Sequence, residues 1–490
     1  MALRSTSSTD GGYPPSGPAR SDDTTARLPG TSSDRAVHPV DELLPPVELL
    51  GTGLQHVAAM YAGVVAPPLI IGAGVGLAPG ELALLISASL FTAGLATLLQ
   101  TLGLFHSVAR GPLARGRIGA RLPFVNGVSF AGVAPVLAIA KEHSARTALP
   151  VIFGAVIVAG ALCFLAAPYF SKLVRFFPPI VQGTVITLIG VSLLPVAVNW
   201  ARGGESPGAP GYGSMRAIGL AALTLAVVVL LNRVLRGFWQ QLSLLFGLAI
   251  GTALAFPLKL ADFGAVRDAK LFALPSPLHF GAPVLDASAI TSMCVVMVVA
   301  MTESTADMLA LGRIVDRPAD APTLAAGLRA DGLATALSPL LNGFACSAFA
   351  QNIGLVALTK IRSRFVVAAA GGILIVLGLF PVLGSVVSLV PQPVLGGAGI
   401  VLFGTVAASG IKTLGEAGLE SGSNVILVSV SLGIGIVPIA VPDFYDAFPP
   451  AVRTLLQSGI SAGCVAAVLL NLLFHHLGAR PAAARPSPTP

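Results

Sequence analysis

The sequence predicts an all-α polytopic membrane protein of about fourteen transmembrane segments in two seven-segment halves of opposite topology. Three observations predict it. The 490 residues are 54% hydrophobic and 10% charged, with a mean hydropathy of +0.85, whereas a soluble domain carries about 25% charged residues. Fourteen apolar segments follow one another between two polar tails, most of them near the ~20 residues a spanning helix needs. The third and tenth are short, interrupted by glycine and alike, the pattern of an inverted repeat.

Residues 1–45 are rich in Ser, Pro, Gly, Thr and Arg, hold no apolar run and read as a disordered cytoplasmic tail. No apolar core follows Arg4 at the distance a cleavable signal peptide needs. The first repeat spans 46–260, with segments near 48–72, 81–105, 123–140, 148–168, 179–199, 215–235 and 240–260. A polar connecting loop occupies 261–285. The second repeat spans 286–475, with segments near 286–311, 323–341, 345–360, 364–385, 391–411, 423–441 and 451–475. Residues 476–490 form a second disordered tail. Loops after even-numbered segments carry fifteen Lys and Arg against eight after odd-numbered ones, which puts both termini in the cytoplasm. The net charge of +7 follows this topology and does not mark a nucleic-acid partner. The four cysteines lie scattered in apolar runs without metal-ligand spacing and read as small buried hydrophobes.

The third segment reads NGVSFAGVAPV from Asn126 and the tenth NGFACSAFAQNIGLV from Asn342. Aligned on Asn-Gly, with three extra residues in the second copy, they pair Phe130 with Phe349. Chance likeness in Gly/Ala-rich sequence is the alternative. The stretch Asn342–Arg364 is also where a compact polar set interrupts an apolar run. Gln351 and Asn352 stand side by side among small residues, with Lys360, Arg362 and Arg364 behind them. Unpaired amides at membrane depth cost several kcal/mol. These two therefore pair either with a ligand or with a neighbouring helix.

Charged side chains within membrane segments are functional candidates by default. Glu303 and Asp307 are four apart in segment eight and share one helix face, flanked by Thr302, Ser304 and Thr305. A carboxylate there can exchange a proton during transport or accept hydrogen bonds from a ligand's N–H groups. For Asp307 the competing role is a cap or a pair with Arg313. Asp331 in segment nine is a relay or structural carboxylate, or a solvated one near the interface. His56 in segment one reads as a hydrogen-bond partner that supports a site. Ser129 and Phe130 can offer a backbone amide and an aromatic face to a flat ligand; ordinary packing is the alternative for Phe130. No nucleophile–His–acid set, Walker loop or CxxC pair is present. This leaves secondary transport driven by an ion gradient, not an enzyme, with no cofactor besides the coupling ion.

Four stretches carry a family resemblance: LQHVAAMY in segment one, Ser129–Ala131, Glu303–Asp307, and QNIGLVALTKIRSR. The last is the most specific, with Gln351, Asn352, Gly354, Thr359 and Lys360 on the signature positions. The chain resembles the nucleobase–cation symporters, or nucleobase–ascorbate transporters, over roughly residues 46–475. The resemblance implies fourteen segments in two inverted repeats, with short strands in segments three and ten. It implies a core domain (segments one to four and eight to eleven), a gate domain (five to seven and twelve to fourteen), and a homodimer in the cell membrane whose core moves against its gate. By position it implies that Glu303, Gln351, Phe130, Ser129 and Ala350 bind the base. His56, Asp307, Asp331 and Asn352 would support the site or proton coupling. Gln at 351, where uracil members carry Glu, points to an oxopurine, xanthine or uric acid, taken up with a proton. An amide donates and accepts at once, matching a lactam's paired N–H and C=O. Ala306 replaces the family's usual Gly, and Ala345, Cys346 and Ser347 replace its Pro, aromatic and Thr. Both departures bear on fine substrate preference. The competing expectations are a uracil or broad nucleobase permease, an anion carrier on the same fold, and a membrane receptor or enzyme.

Overall fold

The computed structural model describes residues 38–104, 116–173, 176–203, 212–258 and 271–477. Prolines and capping side chains set where its helices begin, because the first N–H groups of a helix have no partner within it. Helix α1 (Pro46–Val75) opens on a proline and closes at Gly76, whose φ of 79° is left-handed. Helix α2 (Pro79–Leu102) also opens on a proline. Strand β1 (Asn126–Val128) leads through a 3-10 turn at Phe130–Gly132 into α3 (Val133–Glu142). Then come α4 (Ala145–Leu173), α5 (Pro179–Ala201), α6 (Met215–Val234), capped by Ser214, and α7 (Ser243–Ala255). Asp286 caps α8 (Ala287–Ile314) and Asp320 caps α9 (Ala321–Leu337). Strand β2 (Cys346–Ala348) runs directly into α10 (Ala350–Thr359), and Ser363 caps α11 (Arg364–Gly378). The chain ends with α12 (Pro381–Ser388), α13 (Gln392–Glu416), α14 (Gly422–Ala440), α15 (Pro450–Gln457) and α16 (Gly459–Asn471).

Among the described residues, nine helices are long and apolar enough to cross a bilayer, or ten if the bent pair α11–α12 counts as one. The protein is a multi-pass helical membrane protein. Each of the fourteen apolar segments contains a helix, but the third, seventh, ninth, tenth and eleventh lack a single long apolar one. The reasons are local. Segments three and ten spend part of their length as strands. Segment seven breaks after a four-residue helix, Phe238–Gln241. Segment nine carries Arg329 and Asp331 and tightens to a 3-10 turn at Ser338. Segment eleven bends by 86° before Pro381.

The helices pack in a paired pattern: α4 lies on α9 and α8, and α2 lies on α11, which also carries α1. Separately, α5 lies along α13, α6 against α7, and α14 against α16. Small residues permit these approaches. A methyl built on Gly94 would meet the Gly371 carbonyl at 2.6 Å, and one on Gly190 would meet the Ala407 nitrogen at 2.3 Å.

One boundary differs from expectation. Residues 38–45, within the span assigned to the N-terminal tail, are among those described. Pro39–Asp41 forms a 3-10 turn with Val40 fully buried, and Asp41 pairs with Arg364 at 2.6 Å, Arg317 at 2.9 Å and Arg121 at 3.5 Å. Residues 1–37, 261–270 and 478–490, read as tail, loop and tail, lie outside the described residues.

Candidate functional site

Two three-residue strands, every residue of both buried, cross one another. They pair antiparallel, Asn126 opposite Ala348, Gly127 opposite Ser347 and Val128 opposite Cys346. The ladder extends by one bond at each end, from Ser129 N–H to Ala345 O (2.8 Å) and from Phe349 N–H to Val125 O (3.0 Å). A buried strand edge needs partners, and a threonine from a long helix supplies each. Thr97 of α2 accepts from Asn126 N–H at 3.1 Å, and Thr335 of α9 accepts from Cys346 N–H at 3.0 Å. Because the strands are antiparallel, α3 and α10 leave the crossing in opposite directions. Neither N-terminus has a side-chain cap.

The ladder corrects the pairing read from sequence. Its twofold exchange takes Ser129 to Phe349 and Phe130 to Ala350, so Phe130 and Phe349 are one position out of step. Asn126-Gly127 is matched by Cys346-Ser347, not by Asn342-Gly343. Asn342 instead sits at φ 64° in a turn, donating to Ser276 O at 2.7 Å. Gly127 is small because the Phe349 ring lies over it: a methyl there would come within 2.4 Å of the ring.

Buried side chains brace the crossing. His56 on α1 meets Asn352 Oδ1 through Nδ1 at 2.5 Å. Asn352 spends its Nδ2 on Pro123 O at 2.9 Å, so its Oδ1 is the acceptor and His56 Nδ1 carries the hydrogen. Asp331 is fully buried rather than solvated at an interface. Its Oδ1 accepts from Gln100 Nε2 at 2.6 Å and Asn126 Nδ2 at 2.5 Å. Gln100 also donates to Gly327 O and accepts from Ala120 N–H. Ser304, next to Glu303, accepts from Ala348 N–H at 3.2 Å. It fastens α8 to β2. Sequence reasoning missed Thr97, Gln100, Ser304 in this bridging role, and Thr335. Hydroxyls and amides are ordinary in membrane helices, and the partners of Gln100 and Ser304 are distant in sequence.

Other candidate residues near the crossing are less covered. Ala350 is exposed in the first turn of α10, while Glu303, Asp307 and Phe130 are half-buried. Phe130 lies 6.4 Å from the Phe349 ring and 6.3 Å from Phe403 on α13. The Ser129 hydroxyl is buried without a hydrogen-bond partner among the described residues. So is Asp307 Oδ2, and no ion pair joins Asp307 to Arg313 among the described residues. Gln351 is in the same first turn as Ala350, but its side chain lies outside the described residues. The basic end is occupied: Arg362 pairs with Asp316 and Arg364 with Asp41. Glu303 borders a narrow slit against α5, where Gln182 stands opposite.

Residues 47–444 match the profile of a family described as a permease family. The chain belongs to that family. It is the nucleobase–ascorbate transporter family of the sequence resemblance, and the protein is a membrane transporter, not an enzyme. Among its relatives, the uric acid transporter UacT of Escherichia coli (strain K12) is 39% identical over 453 residues, covering 92% of this chain and 91% of its own. The uric acid permease PucJ of Bacillus subtilis (strain 168) is 40% identical, covering 86% and 91%. The xanthine permease of the same organism is 39% identical, covering 87% and 93%. The fold is shared with the transmembrane domain of the cyanobacterial bicarbonate transporter BicA at a TM-score of 0.55, 13% identity and coverage of 88% and 99%. It is also shared with the murine anion transporter Slc26a9 at 0.59, 13% identity and coverage of 87% and 68%.

Proposed function

We propose that this permease is a secondary transporter that takes up an oxopurine base, xanthine or uric acid, together with a proton. One observation carries the reading: around the strand crossing stand a half-buried aromatic ring (Phe130), a half-buried carboxylate without a protein partner among the described residues (Glu303) and the exposed first residue of α10 (Ala350). A flat ring with N–H groups and carbonyls fits that set. Phe130 covers its face, Glu303 accepts from its N–H, and backbone N–H groups at the α10 N-terminus receive its carbonyl. In this reading Gln351 completes the lactam edge, and Glu303 carries the transported proton. His56 and Asn352 hold α10 in place, Asp331 holds β1, and Asp307 lies one turn along α8 as a second proton site. The names of the uric acid and xanthine relatives support the substrate class.

The packing pattern supports an elevator-like movement. The helices divide into a core set around α2, α4, α8, α9 and α11 and a gate set around α5, α6, α13, α14 and α16. The matching threonine braces at Asn126 and Cys346 support two inverted repeats of seven segments, with both termini cytoplasmic and a homodimer as the working form. An anion carrier is the less favoured alternative, since Glu303 and Asp307 on one helix face repel an anion unless protonated.

The test is accumulation of radiolabelled xanthine, uric acid and uracil in a transport-deficient bacterial strain expressing the protein, with and without a protonophore. Protonophore-sensitive accumulation of xanthine or uric acid is expected. Accumulation of uracil alone would remove the oxopurine assignment, and accumulation of none would remove nucleobase transport.

A further inference from the structure

The residues assigned to the base so far all lie on the core side of the slit at Glu303. The slit's volume is about 10 Å³, about the space of one water. Thr302 and Glu303 of α8 form one wall, and Phe177, Gln182 and Ile186 stand on the other. The polar side chains beside Gln182 on α5 satisfy themselves within the helix: Thr184 donates to Ile180 O and Thr187 to Gly183 O, both at 2.7 Å. Gln182 differs. Its Nε2 donates one hydrogen to Phe177 O at 2.8 Å. Its second N–H and its Oε1 make no hydrogen bond among the described residues. A carboxylate and a half-satisfied amide therefore line the same slit between α8 and α5.

We infer that Gln182 is a specificity-determining contact: its free N–H and Oε1 read the edge of the transported base that Glu303 does not reach. This rests on the base-transport reading above. An amide presents a donor and an acceptor together, the complement of a lactam edge. The bond to Phe177 O orients the amide before the base arrives. The slit is too small for a purine, so the contact forms when α8 and α5 separate around one.

The experiment compares Gln182→Met, Gln182→Asn and the unsubstituted protein. Methionine keeps the volume and removes both polar atoms; asparagine keeps the amide on a shorter stem. Membrane level and melting temperature show that each variant is folded. Inhibition constants are then measured for xanthine, uric acid, hypoxanthine and guanine against uptake of one labelled base. In Gln182→Met, the ratio of inhibition constants between at least two bases shifts by about tenfold or more, as expected when a site loses a group that reads a polar edge. Gln182→Asn recovers part of that shift. Constants that stay unchanged, or that rise in parallel for every base, would overturn the assignment and leave Gln182 a packing residue. Failure of the unsubstituted protein to take up any of these bases would overturn the transport reading itself, and this inference with it.

Discussion

Phe349 is held in a slot cut by two glycines. A methyl added at Gly127 would lie 2.4 Å from its ring, and one added at Gly63 would lie 2.9 Å from it. The slot fixes Phe349 and, through it, the position of the Phe130 ring 6.4 Å away. Gly127→Ala must push the ring aside within a buried crossing, a strain of about 1–3 kcal/mol. The variant is expected to melt several degrees lower and to bind base more weakly, as thermal melting with and without ligand would measure. An unchanged melting temperature would mean that the slot has slack. At this scale the sequence exposed the charged and aromatic candidates, because Glu303, Asp307, His56 and Phe130 stand out against an apolar background. It did not expose the bracing role of Thr97, Gln100 and Thr335. Nothing local distinguishes a hydroxyl that returns to its own helix from one that holds a strand edge.

Among the elements, the strand crossing and the Asp41 turn tie together stretches of chain that are far apart in sequence. Asp41 ties the chain before α1 to α11 through Arg364, to the turn before α9 through Arg317, and to the chain before β1 through Arg121. Partial burial opposes ionisation of Asp41. The hydrogen bond from Arg364 and the charges of Arg317, Arg364 and Arg121 outweigh it and hold the carboxyl below its ordinary 3.8. A depressed carboxylate stabilises the fold fully above its unfolded value, and loses that contribution as pH falls through its folded value. Asp41→Asn is therefore expected to lower stability at neutral pH by about 1–2 kcal/mol. The gap from the unsubstituted protein should close as pH drops below about 4. Melting curves across that range check it; a gap that is constant with pH would assign the loss to packing. The order of the fourteen apolar segments was legible from hydropathy. The turn at Pro39–Asp41 was not. Proline- and serine-rich composition marks residues up to 45 as a tail, while the partners that fasten Asp41 lie from 80 to 323 positions away. The register of β1 and β2 was hidden for a related reason. The repeated Asn-Gly suggested an alignment, but Asn342 serves a turn, and the ladder follows the spacing of backbone partners.

For the whole molecule, Glu303 stands at the border between α8 and α5, on a narrow slit. Ser304 fastens α8 to β2, and Gln182 lines the slit from α5. A carboxylate at such a border can couple a proton to movement, because its charge is tolerated only while a base or water solvates it. The most direct test reconstitutes the protein into liposomes with an imposed pH gradient, acidic outside, and follows labelled xanthine or uric acid. The unsubstituted protein should accumulate base transiently above its equilibrium level and lose that overshoot when the gradient is collapsed. Glu303→Gln, shown folded by its melting curve, should give no overshoot. A Glu303→Gln variant that concentrates base as the unsubstituted protein does would contradict proton coupling through Glu303.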